Sequence, residues 1–119
     1  MKTIIFLFLF SFSTISSVHA MSGQEWLSEC ESRVKFKISS CLGYLDGVRD
    51  MYSSMVKTLF PKEIVPNKIC FPQDITLGQE EKIMIKHLND NPEQLHFSFT
   101  SLYFYKMKMT FPCNEQDKK

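Results

Sequence analysis

An excess of charge of either sign is missing from this chain. It carries 14 Lys and Arg against 13 Asp and Glu, and with Lys2 set aside the two signs balance. There is no basic stripe of the kind that tracks a nucleic-acid backbone, and no polybasic cluster to hold a membrane surface. Catalytic signatures are also missing: no G-x-S-x-G, no phosphate-binding loop and no H-E-x-x-H occurs. No internal repeat or low-complexity segment is present. The cysteines never form a C-x2-C pair. The closest two, Cys30 and Cys41, are eleven positions apart, which argues against a zinc site. The one long apolar run, Ile4 to Phe12, is shorter than the roughly 20 residues of a membrane span. These gaps exclude nucleic-acid binders and the common hydrolases, and they leave a protein that recognises a partner by shape and local contacts.

The apolar run does have a use. Lys2 precedes it, and "VHA" closes it at Ala20, with Val18 and Ala20 at the small-residue positions of a cleavage site. Residues 1–20 therefore read as a secretory signal peptide. No cysteine follows the run directly, which argues against a lipoprotein. The mature chain, residues 21–119, is one small domain near the lower size limit for a self-sufficient core. Its four cysteines, Cys30, Cys41, Cys70 and Cys113, read as a disulfide framework in an exported protein. Three connectivities are possible. Cys30–Cys41 with Cys70–Cys113 is preferred, because the first pair would staple two consecutive helices across a short connection.

Helical spacing dominates the mature chain. "SGQEWLSECESRV" (22–34) predicts a first helix capped by Ser22, with Glu25 suited to its positive end and Trp26, Leu27 and Cys30 on one face. A second helix is predicted from about Ser39 to Leu59. Pro61, Pro66 and Pro72 then enforce a long connection. Thr76 and Gln79 form a capping-box pattern that opens a third helix, with Leu77, Met84, Ile85 and Leu88 on its apolar face and Asn89, Asn91 and Pro92 at its end. The last segment is ambiguous. "YKMKMTF" (105–111) alternates apolar and polar, which taken alone favours a strand. A helix with Phe104, Met107 and Phe111 on one side is the alternative.

Candidate chemistry is sparse. His87 and His96 lie nine apart and read as partly exposed structural histidines. Asp46 and Asp50 share a helical face, as an acid pair or cation site would, but a solvated face is the simpler account. Glu80, Glu81 and Lys82 read as an exposed polar patch. The aromatics of residues 97–111 suit a core, or a subunit interface where part is exposed.

Gly43 and Gly47 stand out. Both fall inside the second helix, where each costs roughly 1 kcal/mol relative to alanine. At i and i+4 they form one bare strip flanked by Tyr44 and Val48, which invites another backbone to approach closely. The alternative is two tolerated glycines facing solvent.

Taken in order, "CLGYLDGVRD", "ICFPQDITLGQ", "HLNDNPEQLH" and "FPC" resemble the Rap/Tai immunity proteins of the type VI secretion system. The matching positions are Cys41, Gly43, Tyr44, Gly47, Val48 and Asp50, then Cys70, Pro72, Thr76, Gln79, Pro92 and Glu93, and finally Phe111, Pro112 and Cys113. The resemblance covers about residues 26–113. The resemblance implies an all-α, disulfide-stapled bundle of about four helices over residues 21–119, with the last segment helical. It implies a periplasmic homodimer that is not an enzyme, needs no cofactor or metal, and blocks a secreted peptidoglycan amidase effector by occlusion. One departure is the last helix, alanine-rich in relatives and here built of Phe, Tyr and Met. An occluding protein needs a protrusion. The Pro-stiffened connection with Pro61, Lys62, Glu63 and Asn67 is one candidate, and the turn with Asn89, Asn91, Glu93 and Gln94 is the other. Two competing readings are a periplasmic chaperone-like binding module and a small enzyme using Asp46 and Asp50.

Overall fold

A computed structural model describes residues 19–59 and 68–114. Most of residues 1–20, the expected signal peptide, lies outside the described residues, as do Pro61, Lys62, Glu63 and Asn67. Four helices follow one another: α1 (Gly23–Cys30), α2 (Lys35–Leu59), α3 (Leu77–Asp90) and α4 (Phe99–Thr110), with a 3-10 turn at Pro92–Gln94. No strand occurs among the described residues. The expected all-α bundle is the observed one.

The helix starts are chemically specified. Ser22 and Glu25 close a capping box at α1, and Thr76 and Gln79 close another at α3. Each satisfies two backbone donors that a helix start otherwise leaves orphaned. Ser98 caps α4 by accepting from the Ser101 backbone N–H. α2 begins at Lys35, earlier than Ser39, so "KFKI" is its first turn.

The C-terminal alternation misleads when it is read alone. The residues that α4 buries are Phe99, Leu102, Tyr103 and Met107, a stripe at helical spacing. Tyr105 and Met109, which complete the apparent period of two, are the exposed ones. Of the side proposed for a helical reading, Met107 is buried while Phe104 and Phe111 sit at the margin of the core.

The core forms around Trp26. Its ring stacks on Phe99 of α4 with centroids 4.3 Å apart. Its indole N–H donates to the Cys41 carbonyl of α2 at 3.1 Å. Tyr44 meets the other edge of Phe99 at 5.7 Å. One side chain thus joins three helices, and its single polar atom is satisfied, as burial requires.

Both disulfides pair as preferred: Cys30–Cys41 staples α1 to α2, and Cys70–Cys113 joins the connection before α3 to the chain after α4. Each is of a kind that stabilises a domain this size by about 2–4 kcal/mol.

A buried charge network ties α2, α3 and α4. Glu80, expected in an exposed patch, has no solvent exposure. Arg49 of α2 approaches its Oε1 at 3.0 Å, and the Tyr103 hydroxyl of α4 donates to its Oε2 at 2.9 Å. Glu80 lies one turn after Leu77 and one before Met84, so it falls on the buried stripe of α3. Burial raises the carboxyl pKa, against the Tyr103 hydrogen bond and the Arg49 charge. Burial and the Glu80 charge push the Tyr103 hydroxyl far up, so it stays protonated and donates.

The glycine strip corrects the expected packing within the chain. A Cβ built at Gly43 or Gly47 meets nothing within 4 Å, and both residues are exposed. Tyr44 and Val48 do not flank a packed seam there; they turn inward, against the core. The close approach occurs instead at Gly23, where a Cβ would stand 2.8 Å from Leu102 Cδ1. Gly23 sits at the first turn of α1, and its N–H donates to the Phe97 carbonyl at 2.9 Å.

Two predictions follow from this packing. At concentrations where the chain is monomeric, Gly43→Ala with Gly47→Ala will raise stability by roughly 1–2 kcal/mol in urea denaturation, because helix propensity is gained without a clash within the chain; Gly23→Ala will lower it. Tyr103→Phe will cost about 1–3 kcal/mol at neutral pH by leaving a buried carboxylate oxygen unpaired. Glu80 has its pKa raised in the fold, so its own contribution is fully present below the unfolded value and is lost as pH rises through the folded value. The Tyr103 bond favours the ionised form, so denaturation at a series of pH values will show the cost of Tyr103→Phe shrinking as the pH falls through the raised Glu80 value.

Candidate binding surface

The turn that leaves α3 is short, exposed and fixed at both ends. Asn91 ends the helix by donating its side-chain Nδ2 to the His87 carbonyl at 2.8 Å. This satisfies one of the carbonyls that a helix end leaves open. Pro92 then starts the 3-10 turn with its φ already set. Within the turn, Gln94 N donates to Asn91 O at 3.0 Å and Phe97 N to Gln94 O at 3.0 Å. Beyond it the chain runs beside the start of α1. There Gln24 N donates to Leu95 O, Gly23 N to Phe97 O and Phe99 N to Met21 O, all within 2.9 Å. Asn89 Nδ2 adds a link across the surface to Glu31 Oε1 at 3.1 Å. Asn89, Pro92, Glu93, His96 and Phe97 remain exposed on this frame.

An apolar face adjoins the turn. Phe97 is 51% exposed, and Tyr105 and Met109 of α4 are 57% and 65% exposed. A shallow groove runs past Gln94, Phe97, Ser98, Ser101 and Tyr105, with Leu102 behind it. The sequence placed the aromatics of 97–111 in the core, or at an interface where part is exposed, and the structure divides them between core and surface. Phe99 and Tyr103 are in the core, while Phe97 and Tyr105 face outward.

A second cleft separates α3 from α4. His87 lines it and is buried rather than partly exposed. Burial, and then the nearby Lys106 charge, lower the His87 pKa, so the ring is neutral at neutral pH. His96, the other expected structural histidine, is exposed beside Phe97.

The remaining candidates fall elsewhere. The described frame of the Pro61–Asn67 connection is its exit, where Ile69 N donates to the Tyr52 hydroxyl at 2.7 Å next to the Cys70–Cys113 bond. Asp46 and Asp50 are exposed on α2. Cys30, Cys41 and Glu81 come close enough to resemble a metal-binding cluster, but both sulfurs are joined to each other and offer no thiolate. The Arg49–Glu80–Tyr103 network was missed by reading the sequence; an exposed part of the 97–111 aromatics was expected, but not that Phe97, Tyr105 and Met109 would form it. The signal for the first was the vacancy in the α3 apolar stripe between Leu77 and Met84. The signal for the second was the apolar residues left over once α4 is drawn as a helix.

No curated protein and no solved structure matches the chain. The family model for the Rap1a immunity proteins matches residues 22–113, which runs from the Ser22 cap of α1 to Cys113 of the second disulfide. That span holds all four helices and both disulfides, and the chain belongs to the Rap1a immunity proteins.

Proposed function

We propose that this chain is a periplasmic immunity protein that binds a type VI peptidoglycan amidase effector and occludes its substrate groove with the turn at residues 89–97. The observation that carries the reading is the turn itself: exposed side chains on a backbone hydrogen-bonded to α1 and α3 before any partner arrives. Pre-ordering lowers the entropy lost on binding. Two disulfides suit an oxidising compartment such as the periplasm. Among the described residues no helix is long and apolar enough to cross a membrane. Inhibition by occlusion needs no catalytic group on this chain.

We also propose that the protein is a homodimer joined through α2. Phe36 and Met51 are exposed on the outward side of α2 that carries the bare Gly43–Gly47 strip. Two such helices crossing at the glycines would cover these side chains. The glycine cost of roughly 1 kcal/mol each is then offset in the dimer rather than in the monomer.

Peptidoglycan hydrolysis by the effector encoded beside this gene, with and without the oxidised mature protein, tests the first reading. Stoichiometric inhibition is expected. Asn89→Ala with Glu93→Lys and Phe97→Ala will weaken inhibition at least about tenfold, because contact residues at the centre of an interface dominate its energy. Helicity and melting temperature will be unchanged. Undiminished inhibition by that variant would remove the turn from the contact. For the second reading, Gly47→Arg will convert a dimeric mass in light scattering to a monomeric one without loss of helicity. A monomeric mass for the unaltered protein at micromolar concentration would refute the α2 interface.

A further inference from the structure

The cleft between the C-terminal half of α3 and α4 is walled by Ile83, Lys86, His87, Asp90, Lys106 and Thr110. His87 is 8% exposed. Its tautomer is set by its neighbour. Asn91 Nδ2 donates to the His87 main-chain carbonyl, and a carbonyl only accepts, so the orientation of the Asn91 amide is fixed. The same Nδ2 stands 3.2 Å from the ring Nδ1. Nδ1 is therefore the acceptor nitrogen, and the ring proton sits on Nε2. That nitrogen is buried and has no hydrogen-bond partner among the described residues. Gln94 acts on the ring as a hydrogen-bond acceptor, but no bond of good geometry reaches Nε2. A buried donor without an acceptor is costly, and native structures rarely leave one without a reason.

The charges of the cleft point the same way. Lys86 is paired with Asp90 at 2.7 Å. Lys106 is half-buried, acts on the His87 ring, and makes no ion pair among the described residues. Asp90 and Glu93 also act on the His87 ring, but Asp90 is held by Lys86, so the cleft offers a cation with no ion pair among the described residues beside an N–H donor that no acceptor satisfies at good geometry. A group that satisfies both is an anionic acceptor. The exposed residues of the 89–97 turn begin at the lip of the same cleft, so a partner seated on the turn reaches it.

We propose that His87 Nε2–H and the Lys106 ammonium form an anchoring subsite for a carboxylate of the effector, the side chain of an Asp or Glu on its surface. This rests on the immunity reading given above. Docking takes a side-chain rotamer change at the cleft mouth, which is common when protein partners meet.

The first arm of the test needs no effector. Ring ¹⁵N–¹H spectra of the oxidised mature protein are recorded with sodium acetate and with sodium chloride at matched ionic strength. The expected result is an Nε2-protonated His87 whose ring signals shift with acetate and not with chloride, while those of exposed His96 respond equally to both. Lys106→Met will weaken the acetate response at least about tenfold, in line with the loss of a charge-assisted partner. An Nδ1-protonated ring, equal responses to acetate and chloride at His87, or a response unchanged by Lys106→Met would overturn the subsite. The second arm uses the amidase. Lys106→Glu is expected to weaken inhibition at least about tenfold with unchanged melting temperature. Unchanged inhibition, where the unaltered protein inhibits, would overturn the assignment of the carboxylate to the effector. An amidase that the unaltered protein does not inhibit would overturn the immunity reading instead, and the acetate arm would still decide whether the subsite exists.

Discussion

Glu80 has no access to water, and a carboxylate in that position is tolerated only while Arg49 and Tyr103 stay in place. The three residues come from three helices, so the requirement fixes how α2, α3 and α4 sit against one another. Moving any one helix by an ångström or two lengthens a bond that the buried charge needs. Apolar packing alone is less demanding, since side chains of similar volume can rearrange. Trp26 then sets α1 on this frame through the Phe99 stack and the Cys41 carbonyl. The two disulfides close the frame at both ends of the chain.

The surface inherits this rigidity. α1 begins against residues 95–99 because Gly23 lets the two chains approach to hydrogen-bond distance, with Leu102 filling the space a Cβ would need. The turn after α3 is consequently held between the core of the bundle and the start of α1. Its exposed side chains and the Phe97–Tyr105–Met109 face form one continuous region next to the α3–α4 cleft. The proposed immunity role uses that shape as a fixed contact surface, in keeping with membership of the Rap1a immunity proteins.

Much of the fold could be read in the sequence because its signals are local. The Ser22–Glu25 and Thr76–Gln79 boxes act over three residues, and the helix stop at Asn91 and Pro92 does the same. The resemblance supplied α4, where pattern alone pointed the other way; the exposed Tyr105 and Met109 counterfeit a strand. What could not be read depends on residues far apart in the chain. Only the helical phase of α3 separates Glu80 from Glu81, and the partners that accept the burial of Glu80, Arg49 and Tyr103, are 31 and 23 positions away. Gly43 and Gly47 carried the stronger expectation of close packing, while Gly23 does the packing, because which glycine meets a neighbour is decided by how the helices assemble. The candidate contact at residues 89–94 was legible as a turn. Its extension to Phe97 and the cleft at His87 and Lys106 appeared only with α4 folded beside α3.

Hydrogen exchange of the oxidised protein shows most directly whether the turn is already ordered before a partner arrives. The amides of Gly23, Gln24, Phe97 and Phe99 donate the bonds that fix the turn. They are expected to exchange nearly as slowly as the amides in the middle of α3, through openings close to global unfolding. Exchange of these four at the rate of an unstructured peptide, with α3 still protected, would contradict the account and make the turn a segment that folds only on its partner.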